Sequence, residues 1–194
     1  MGEDSSVLGI RMHGRGGQGA VVASKILAKA YFMEGLFVQA FPAFGMERRG
    51  AAVAAYVRVD SSPALARGEI VNPDVCVVLD PKLLEMVDVT AGLAPGVPIV
   101  LNYAEGQVPQ DLVDRFTLAL IDANQIAVNH RLGSRLAPII NTVVLGAYLK
   151  VVQDPPLKPE TLFQAIEEGV PAKKQENAAA AREAYEQVRV LEKS

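Results

Sequence analysis

The sequence predicts an α/β fold, a three-layer sandwich in which helices cover a mostly parallel, mixed sheet. Three observations support this prediction. Short apolar runs typical of buried strands, at 75–79, 98–102 and 116–122, alternate with segments of helical character. A glycine-rich turn joins an N-terminal strand to an apolar helix. At 194 residues, 50% of them hydrophobic, the chain can form one large domain with a substantial core.

Composition narrows the classes of function. The formal net charge of −3 gives no bulk attraction to nucleic acid or to an anionic membrane. The single cysteine, Cys76, lies in an apolar run and is expected to be a buried core thiol. One cysteine cannot ligate an iron–sulfur cluster or a structural zinc ion. The acidic, polar N-terminus and the short apolar runs predict a cytoplasmic chain with no membrane span.

Hydrophobic periodicity, together with glycine and proline positions, defines the expected elements of the first half. A strand at 7–12 precedes an apolar helix at 20–33, which Gly35 ends. Strands follow at 36–41 and 51–59. The loop between these two strands is too short for a crossover helix, so they are expected to run antiparallel.

The same signals predict five further helices. They are expected at 82–87, 124–131, 139–152, 161–168 and 173–192. Residues 1–152 are expected to form the core of a single domain, and 153–194 a C-terminal helical tail. The final helix has an apolar seam that could pack on its own domain or on a partner subunit. The seam consists of Ala178, Ala181, Tyr185, Val188 and Leu191.

The turn after the first strand contains a G-x-G-x-x-G pattern. Glycines adopt positive φ and let a ligand approach the backbone, while the N–H groups and dipole of the following helix favour an anion. Arg15 adds a cation. We therefore expect a phosphate, pyrophosphate or carboxylate site, although such turns can also serve only to pack a helix on a sheet. The candidate binding residues, called the glycine loop below, are Gly14, Arg15, Gly16, Gly17, Gln18 and Gly19.

Binding of NAD in the usual manner is disfavoured. Dinucleotide-binding folds hold a ribose hydroxyl with an acidic residue about 20 positions after the glycine motif. Val38, Gln39, Ala40 and Phe41 stand at the corresponding place, and none of them carries a carboxylate.

A second stretch, from Phe41 to Gly50, is expected to be an irregular loop with two adjacent arginines, Arg48 and Arg49. Solvated surface charge is one explanation of the arginines. The aromatic residues beside them favour contact with a ligand or another subunit, because exposed aromatic side chains are costly. Guanidinium groups suit phosphate and carboxylate, so Arg48 and Arg49 are further candidate binding residues.

The remaining polar residues indicate no catalytic centre and no metal site on this chain. The two histidines, His13 and His130, have no third ligand at a spacing typical of zinc. His13 lies beside the glycine loop, where it either contacts a ligand or only ends a strand. Asp80 and Asp122 follow apolar strands, where ligands of α/β proteins bind, but capping of the next helix explains both equally well.

Four segments together carry a resemblance to a known family. They are GRGGQGA with SKILA at 14–28, FPxFGxERRGA at 41–51, NTVVLGA at 141–147 and the segment from Pro171 to Tyr185. In this order they cover essentially the whole chain, and they resemble the gamma subunit of the 2-oxoacid:ferredoxin oxidoreductases, such as pyruvate synthase. Met46 departs from the proline that is common in this family, which weakly disfavours a plain pyruvate enzyme.

The resemblance implies a Rossmann-like fold and a role in a heteromeric enzyme. The family oxidatively decarboxylates a 2-oxoacid on thiamine diphosphate, usually transfers the acyl group to coenzyme A, and passes electrons through iron–sulfur clusters to ferredoxin. Thiamine diphosphate, magnesium and the 4Fe–4S clusters belong to alpha-, beta- and delta-type subunits, the implied partners. The gamma subunit is implicated in coenzyme A binding, with the glycine loop, Arg48 and Arg49 as the residues carried over.

The resemblance does not select among pyruvate, aryl-glyoxylates, branched-chain 2-oxoacids, 2-oxoglutarate and oxalate, and not all members use coenzyme A. Two other functions stay open. One is a stand-alone nucleotide-binding oxidoreductase, and the other is a purely structural scaffold subunit whose glycine loop only packs.

Overall fold

A mixed seven-stranded sheet organises the part of the chain that the computed structural model describes, residues 8–43, 50–63, 68–104, 108–152 and 154–193. A two-stranded hairpin forms a second, small sheet. In chain order the elements are β1 (Leu8–Arg15), α1 (Ala20–Met33), β2 (Phe37–Pro42), β3 (Ala52–Asp60), β4 (Val75–Val78), α2 (Leu83–Met86), β5 (Pro98–Asn102), α3 (Gln110–Arg115), β6 (Thr117–Ile121), α4 (Ala123–Asn129), β7 (Gly133–Ser134), β8 (Ala137–Pro138), α5 (Val143–Tyr148), α6 (Pro159–Gly169), α7 (Lys174–Gln187) and β9 (Arg189–Leu191).

The large sheet is mostly parallel, in the strand order β2-β3-β1-β4-β5-β6-β9. Strands β1, β4, β5 and β6 pair in parallel, whereas β3 pairs antiparallel with β1 and β2, and β9 pairs antiparallel with β6. The predicted mixed sheet and the predicted antiparallel pair at 36–41 and 51–59 are confirmed. The parallel strands end at one edge of the sheet, called the carboxyl edge below. The last residues of the four parallel strands are Arg15, Val78, Asn102 and Ile121, and β2, which runs in the same direction, ends there with Pro42.

Helices cover both faces of the sheet, which confirms the three layers. One face packs against α1, α4, α5, α6 and α7 around the larger hydrophobic core, and the other packs against the short helices α2 and α3. Strand β4 is apolar throughout because Val75 and Val77 enter the first core while Cys76 and Val78 enter the second. Cys76 is a free, fully buried thiol, as predicted, and burial raises its pKa to about 12.

Helix α1 connects the larger core to the carboxyl edge. Gly19 (φ 84°) precedes it and Gly35 (φ 88°) follows it, both in the left-handed region, which confirms the predicted bounds 20–33. The hydroxyl of Tyr31 lies 2.9 Å from the hydroxyl of Tyr148 on α5, so these buried phenols satisfy each other by a hydrogen bond. Burial, the larger effect, raises the pKa of Tyr31 despite this hydrogen bond.

The predicted helix at 139–152 is wrong at both ends, since α5 runs only from Val143 to Tyr148. Helix α5 begins at Val143, because Pro138 ends the hairpin β7–β8 instead of opening the helix. Helix α5 meets α7 at Gly146, where an added Cβ would collide with the carbonyl group of Ala181. The glycine is therefore required for the close approach of these two helices.

The predicted helix at 173–192 is too long. Helix α7 ends at Gln187, and the residues after it form β9 beside β6. Without β9, strand β6 would be an open edge of the sheet, and pairing with it satisfies backbone hydrogen bonds of these residues. The β-branched Val190 also favours extended structure. In the helical part of the seam, Ala178 and Ala181 are buried, and α7 packs on α4, α5 and α6. For this part of the seam, packing on its own domain is confirmed.

Helix α3 and the hairpin β7–β8 are not indicated by the sequence patterns, because each is too short for a clear periodic signal. The division into a core at 1–152 and a tail at 153–194 stays a prediction, with β9 joining the tail to the sheet. Within the described ranges, no helix is both long and apolar enough to cross a membrane.

Candidate functional site

The glycine loop lies at the carboxyl edge, where β1 gives way to α1. Strand β1 runs further than the predicted 7–12, because Gly14 and Arg15 still pair with Val53 and Ala52 of β3. The turn itself therefore begins at Gly16. Gly17 (φ 95°) adopts the left-handed region that glycine favours, and an added Cβ there would meet no atom within 4 Å.

The first turn of α1 leaves its backbone donors open. The helix has no side-chain cap and no acidic residue in its first turn, and its first internal hydrogen bond runs from Ala23 N–H to Gly19 O (2.9 Å). In the described part of the chain, no acceptor bonds to the N–H groups of Gly17, Gly19 or residues 20–22. Such donors, at the positive end of the helix dipole, are the elements of an anion site.

The side chains of the loop, in contrast, are engaged inside the chain. The Arg15 guanidinium contacts Asp80 Oδ2 through Nε (2.6 Å) and Nη2 (2.5 Å), and Gln18 Nε2 donates to the same oxygen (2.8 Å). The Oε1 atom of Gln18 accepts from Arg15 N–H (2.7 Å). The expected cation at Arg15 is therefore paired with Asp80, although 34% of the Arg15 side chain stays exposed.

Asp80 thus holds the shape of the glycine loop. Burial opposes ionisation of this carboxyl group, but the hydrogen bond from Lys82 N–H (3.0 Å) and those from Gln18 and Arg15 outweigh it and lower the pKa of Asp80. Asp80 is therefore ionised at neutral pH. The predicted capping of the next helix by Asp80 is not formed, because the N-cap residue of α2 is Lys82 and it makes no side-chain cap. The carboxylate instead accepts from Lys82 N–H, two residues further on, and binds the loop side chains.

Asn141 completes the surroundings of the loop. Its Nδ2 atom packs against Gly19 so closely that an added Cβ would lie 2.6 Å from it. The buried Asn141 is braced by Thr142, whose N–H donates to Asn141 Oδ1 (2.9 Å) and whose hydroxyl donates to Asn177 Oδ1 (2.7 Å). Sequence reasoning assigned no site role to Asn141, and the only signal was a polar pair inside an apolar segment.

His13, on β1 directly before the glycine loop, is 9% exposed. Its Nε2 atom is buried and has no hydrogen-bond partner among the described residues. Burial and, secondarily, the charge of Arg11 lower the pKa of His13 to about 4, with Asp88 opposing. The imidazole is therefore neutral at neutral pH. The nearby Arg11 guanidinium donates to the carbonyl groups of Val89 (3.0 Å) and Ala91 (2.6 Å).

At the loop after β6, in contrast, side chains accept from two of the first three N–H groups of α4, those of Ala123 and Gln125. Asp122 Oδ1 accepts from Gln125 N–H (2.9 Å), which confirms the predicted alternative of helix capping. Asn102 at the end of β5 accepts from Ala123 N–H (3.0 Å) and donates to Leu79 O (2.9 Å).

The predicted arginines Arg48 and Arg49, like Met46, lie outside the described residues. The described end of their segment meets the glycine loop, since Gly50 N–H donates to Gly16 O (3.4 Å) and Gly16 N–H donates to Ala51 O (2.9 Å).

Comparison with known proteins identifies the family. The family model described as pyruvate ferredoxin/flavodoxin oxidoreductase matches residues 9–187. The chain belongs to this family. The gamma subunit common to the pyruvate and ketoisovalerate oxidoreductases of Pyrococcus furiosus is 46% identical over 189 residues, which cover 94% of this chain and 98% of the relative. Pyruvate synthase subunit PorC of Methanothermobacter thermautotrophicus is 46% identical over 183 residues, covering 94% and 96%.

Solved structures agree with this assignment. The crystal structure of pyruvate oxidoreductase subunit PORC from Thermotoga maritima has a TM-score of 0.78 at 30% identity and covers 96% of this chain and 99% of that one. A 2-oxoglutarate:ferredoxin oxidoreductase from Magnetococcus marinus, with 2-oxoglutarate, coenzyme A and succinyl-CoA bound, has a TM-score of 0.72 at 25% identity. It covers 95% of this chain but only 30% of the longer Magnetococcus chain. The protein is thus a gamma subunit of a 2-oxoacid:ferredoxin oxidoreductase complex, as the sequence resemblance implies.

Proposed function

We propose that this gamma subunit contributes the glycine loop to the binding of an anionic group of coenzyme A in the assembled oxidoreductase. Thiamine diphosphate, magnesium and the iron–sulfur clusters lie on alpha-, beta- and delta-type partner subunits in this proposal, and ferredoxin or another acceptor is reduced through those subunits. The observation that carries it is the row of open backbone N–H groups at the start of α1.

Coenzyme A carries phosphate and pyrophosphate groups, which suit such donors. Backbone N–H groups bind a phosphate without a side chain, and Gly17 leaves room for it to approach. The coenzyme A bound in the Magnetococcus relative supports this choice of ligand.

The loop side chains have a supporting role in this proposal. Asp80 fixes Arg15 and Gln18, so the loop is preorganised. The Arg15 charge offsets that of Asp80, which would otherwise repel a phosphate. Arg48 and Arg49 remain candidates for further phosphate or interdomain contacts, because Gly50, directly after them, is bonded to the loop.

The substrate we propose is a 2-oxoacid that other subunits select. The names of the relatives include pyruvate, ketoisovalerate and 2-oxoglutarate enzymes, which share the 2-oxoacid group and differ in the side chain. A panel of 2-oxoacids offered to the whole complex identifies the preferred one.

The variant Gly17→Asp tests the coenzyme A contact. It places a carboxylate beside the open N–H groups, where it competes with a phosphate. The matched control is Gly17→Asn, which has nearly the same shape and tolerates positive φ equally well, but is uncharged. In the reconstituted complex we expect Gly17→Asp to raise the KM for coenzyme A about tenfold relative to Gly17→Asn, a difference of ~1.4 kcal/mol. The KM for the 2-oxoacid is expected to stay unchanged.

Equal KM values for coenzyme A in the two variants would contradict the proposal. If both variants then also purify with fewer partner subunits than the wild type, the scaffold alternative accounts for the glycine loop. Stoichiometric NAD(P) binding by the isolated chain would instead favour the stand-alone nucleotide-binding alternative.

A further inference from the structure

The hairpin β7–β8 and its flanks, residues 131–139, present an apolar tip to solvent. We call this segment the basic hairpin. Leu136 at its turn is 98% exposed, more than any other large hydrophobic residue in the described ranges, and Ile139 is 50% exposed. A fully exposed leucine contributes nothing to the stability of this chain, so its surface is available for a contact.

The basic hairpin holds this tip in a fixed shape. Gly133 has φ 79°, and an added Cβ would collide with the carbonyl group of Ala137, so the chain closes tightly on itself. Ser134 Oγ accepts from Ala137 N–H (3.1 Å), and Ile139 N–H donates to the carbonyl of the buried Leu132 (3.0 Å). A tip that is already ordered loses little conformational entropy when it binds.

Three exposed cations lie at or beside the tip. Arg131 and Arg135 are on the hairpin, and Lys173 donates from Nζ to Arg131 O. Lys174 follows at the start of α7 and is exposed as well, but its charge also acts on Glu168, and the acidic Glu176 stands in the same turn. This cluster contrasts with the net charge of −3 of the whole chain. An apolar tip among cations is complementary to an apolar pocket with an acidic rim.

The hairpin also stands close to the candidate site. Ile139 is two residues before Asn141, whose side chain packs against Gly19 of the glycine loop. A protein docked on the hairpin would therefore lie beside the carboxyl edge. In the Magnetococcus relative, the region matching this chain is 30% of a longer polypeptide and is thus joined to other parts of that enzyme.

We propose that the basic hairpin docks on another subunit of the same oxidoreductase and inserts Leu136 into an apolar pocket with an acidic rim. A second copy of this chain is a poorer occupant, since a two-fold contact at the tip would bring the same cations together. The proposal rests on membership of the complex and is independent of the coenzyme A contact.

Co-expression of the untagged chain with the tagged remaining subunits of its oxidoreductase tests this proposal. Leu136→Ser is expected to weaken retention of the gamma subunit in a dilution series about tenfold or more, at any salt concentration. Arg135→Glu is expected to weaken retention at low salt, and the loss should shrink at ~0.5 M salt because screening weakens charge pairs.

The matched controls lie at the opposite edge of the sheet. Val71→Ser removes an exposed apolar side chain (71% exposed), and Lys193→Glu reverses an exposed charge. Both are expected to assemble like the wild type. Wild-type retention of both hairpin variants would overturn the proposal, as would a Leu136→Ser defect confined to self-association of the isolated chain. Coenzyme A saturation of complexes that do assemble is expected to be unchanged, which separates this test from that of the glycine loop.

Discussion

Helices α1 and α4 begin at the same edge of the same sheet, but they treat their first backbone donors in opposite ways. At α4, Asp122 caps the helix and Asn102 accepts from Ala123 N–H, so side chains bond the first and third N–H groups of the helix, and we call this the satisfied turn. At α1, the preceding residue is Gly19 and no side chain caps the helix. The buried polar residues near the two strand ends differ in the same way: both amide atoms of Asn102 are bonded, whereas His13 Nε2 has no partner in the described part of the chain.

This difference leaves the open turn available to a ligand. Gly17 and Val22 are exposed, so water can solvate the open donors when nothing else is bound. The satisfied turn stabilises the fold. An acceptor from outside that binds the open turn adds to the stability of the folded chain.

The largest effect is expected at the satisfied turn. Asn102→Ala leaves Leu79 O and Ala123 N–H buried without partners, and each stranded group costs ~1–3 kcal/mol. We expect the free energy of unfolding of the purified chain to fall by about 3–4 kcal/mol in urea titrations. In complexes that assemble, the KM for coenzyme A should not change. A shift in this KM would show that the two turns are not independent.

A somewhat smaller effect is expected from protonation of His13, directly before the glycine loop. The pKa of His13 is about 4 in the folded chain against an ordinary value of 6.5, so the unfolded chain binds a proton that the folded chain rejects between these pH values. Above about pH 6.5, His13 therefore does not lower the free energy of unfolding. As the pH falls toward 4, this residue lowers that free energy by about 2–3 kcal/mol.

His13→Gln should remove this part of the decrease, because glutamine does not titrate. Urea titrations of both proteins at pH 7, 5 and 4 measure the difference. The lowered pKa values of Asp80 and Asp88 add an acid destabilisation below about pH 4 that both proteins share. Parallel curves for the two proteins between pH 7 and 4 would contradict a depressed pKa at His13.

The sequence predicts more of the open turn than of what surrounds it. The glycines at 17 and 19 and the uncapped start of α1 are local features, and the structure confirms both of them, whereas the anion that they would bind stays a proposal. The pairing of Arg15 with Asp80 joins residues 65 positions apart, and no local pattern encodes it. The contact of Asn141 with Gly19 is equally remote in sequence.

The same distinction holds for the fold. The strands β4, β5 and β6 are predictable because they are apolar on both faces, and α1 because left-handed glycines bound it. The strand β9 is not, since its existence depends on the open edge of β6 rather than on its own three residues. The exposed tip at Leu136 carries no periodic signal at all.

The smallest effect is expected from a substitution that places a carboxylate at the start of α1, where α4 already has Asp122. Val22 is the third residue of α1 and 42% exposed, so Val22→Glu places a carboxylate where it can interact with the open N–H groups and the helix dipole. The matched neutral control is Val22→Gln. We expect Val22→Glu to be more stable than Val22→Gln by ~0.5 kcal/mol in urea titrations at low salt.

The same substitution should weaken the binding of coenzyme A, since the new carboxylate occupies the donors that the proposal assigns to phosphate. If the open turn is an anion site for coenzyme A, one exposed carboxylate should raise the free energy of unfolding and also weaken coenzyme A binding. If Val22→Glu is more stable than its control and the KM for coenzyme A is the same for both, the donors at α1 are available to an anion but coenzyme A does not use them. The open turn would then serve another acceptor, such as a carboxylate or carbonyl group of a neighbouring subunit.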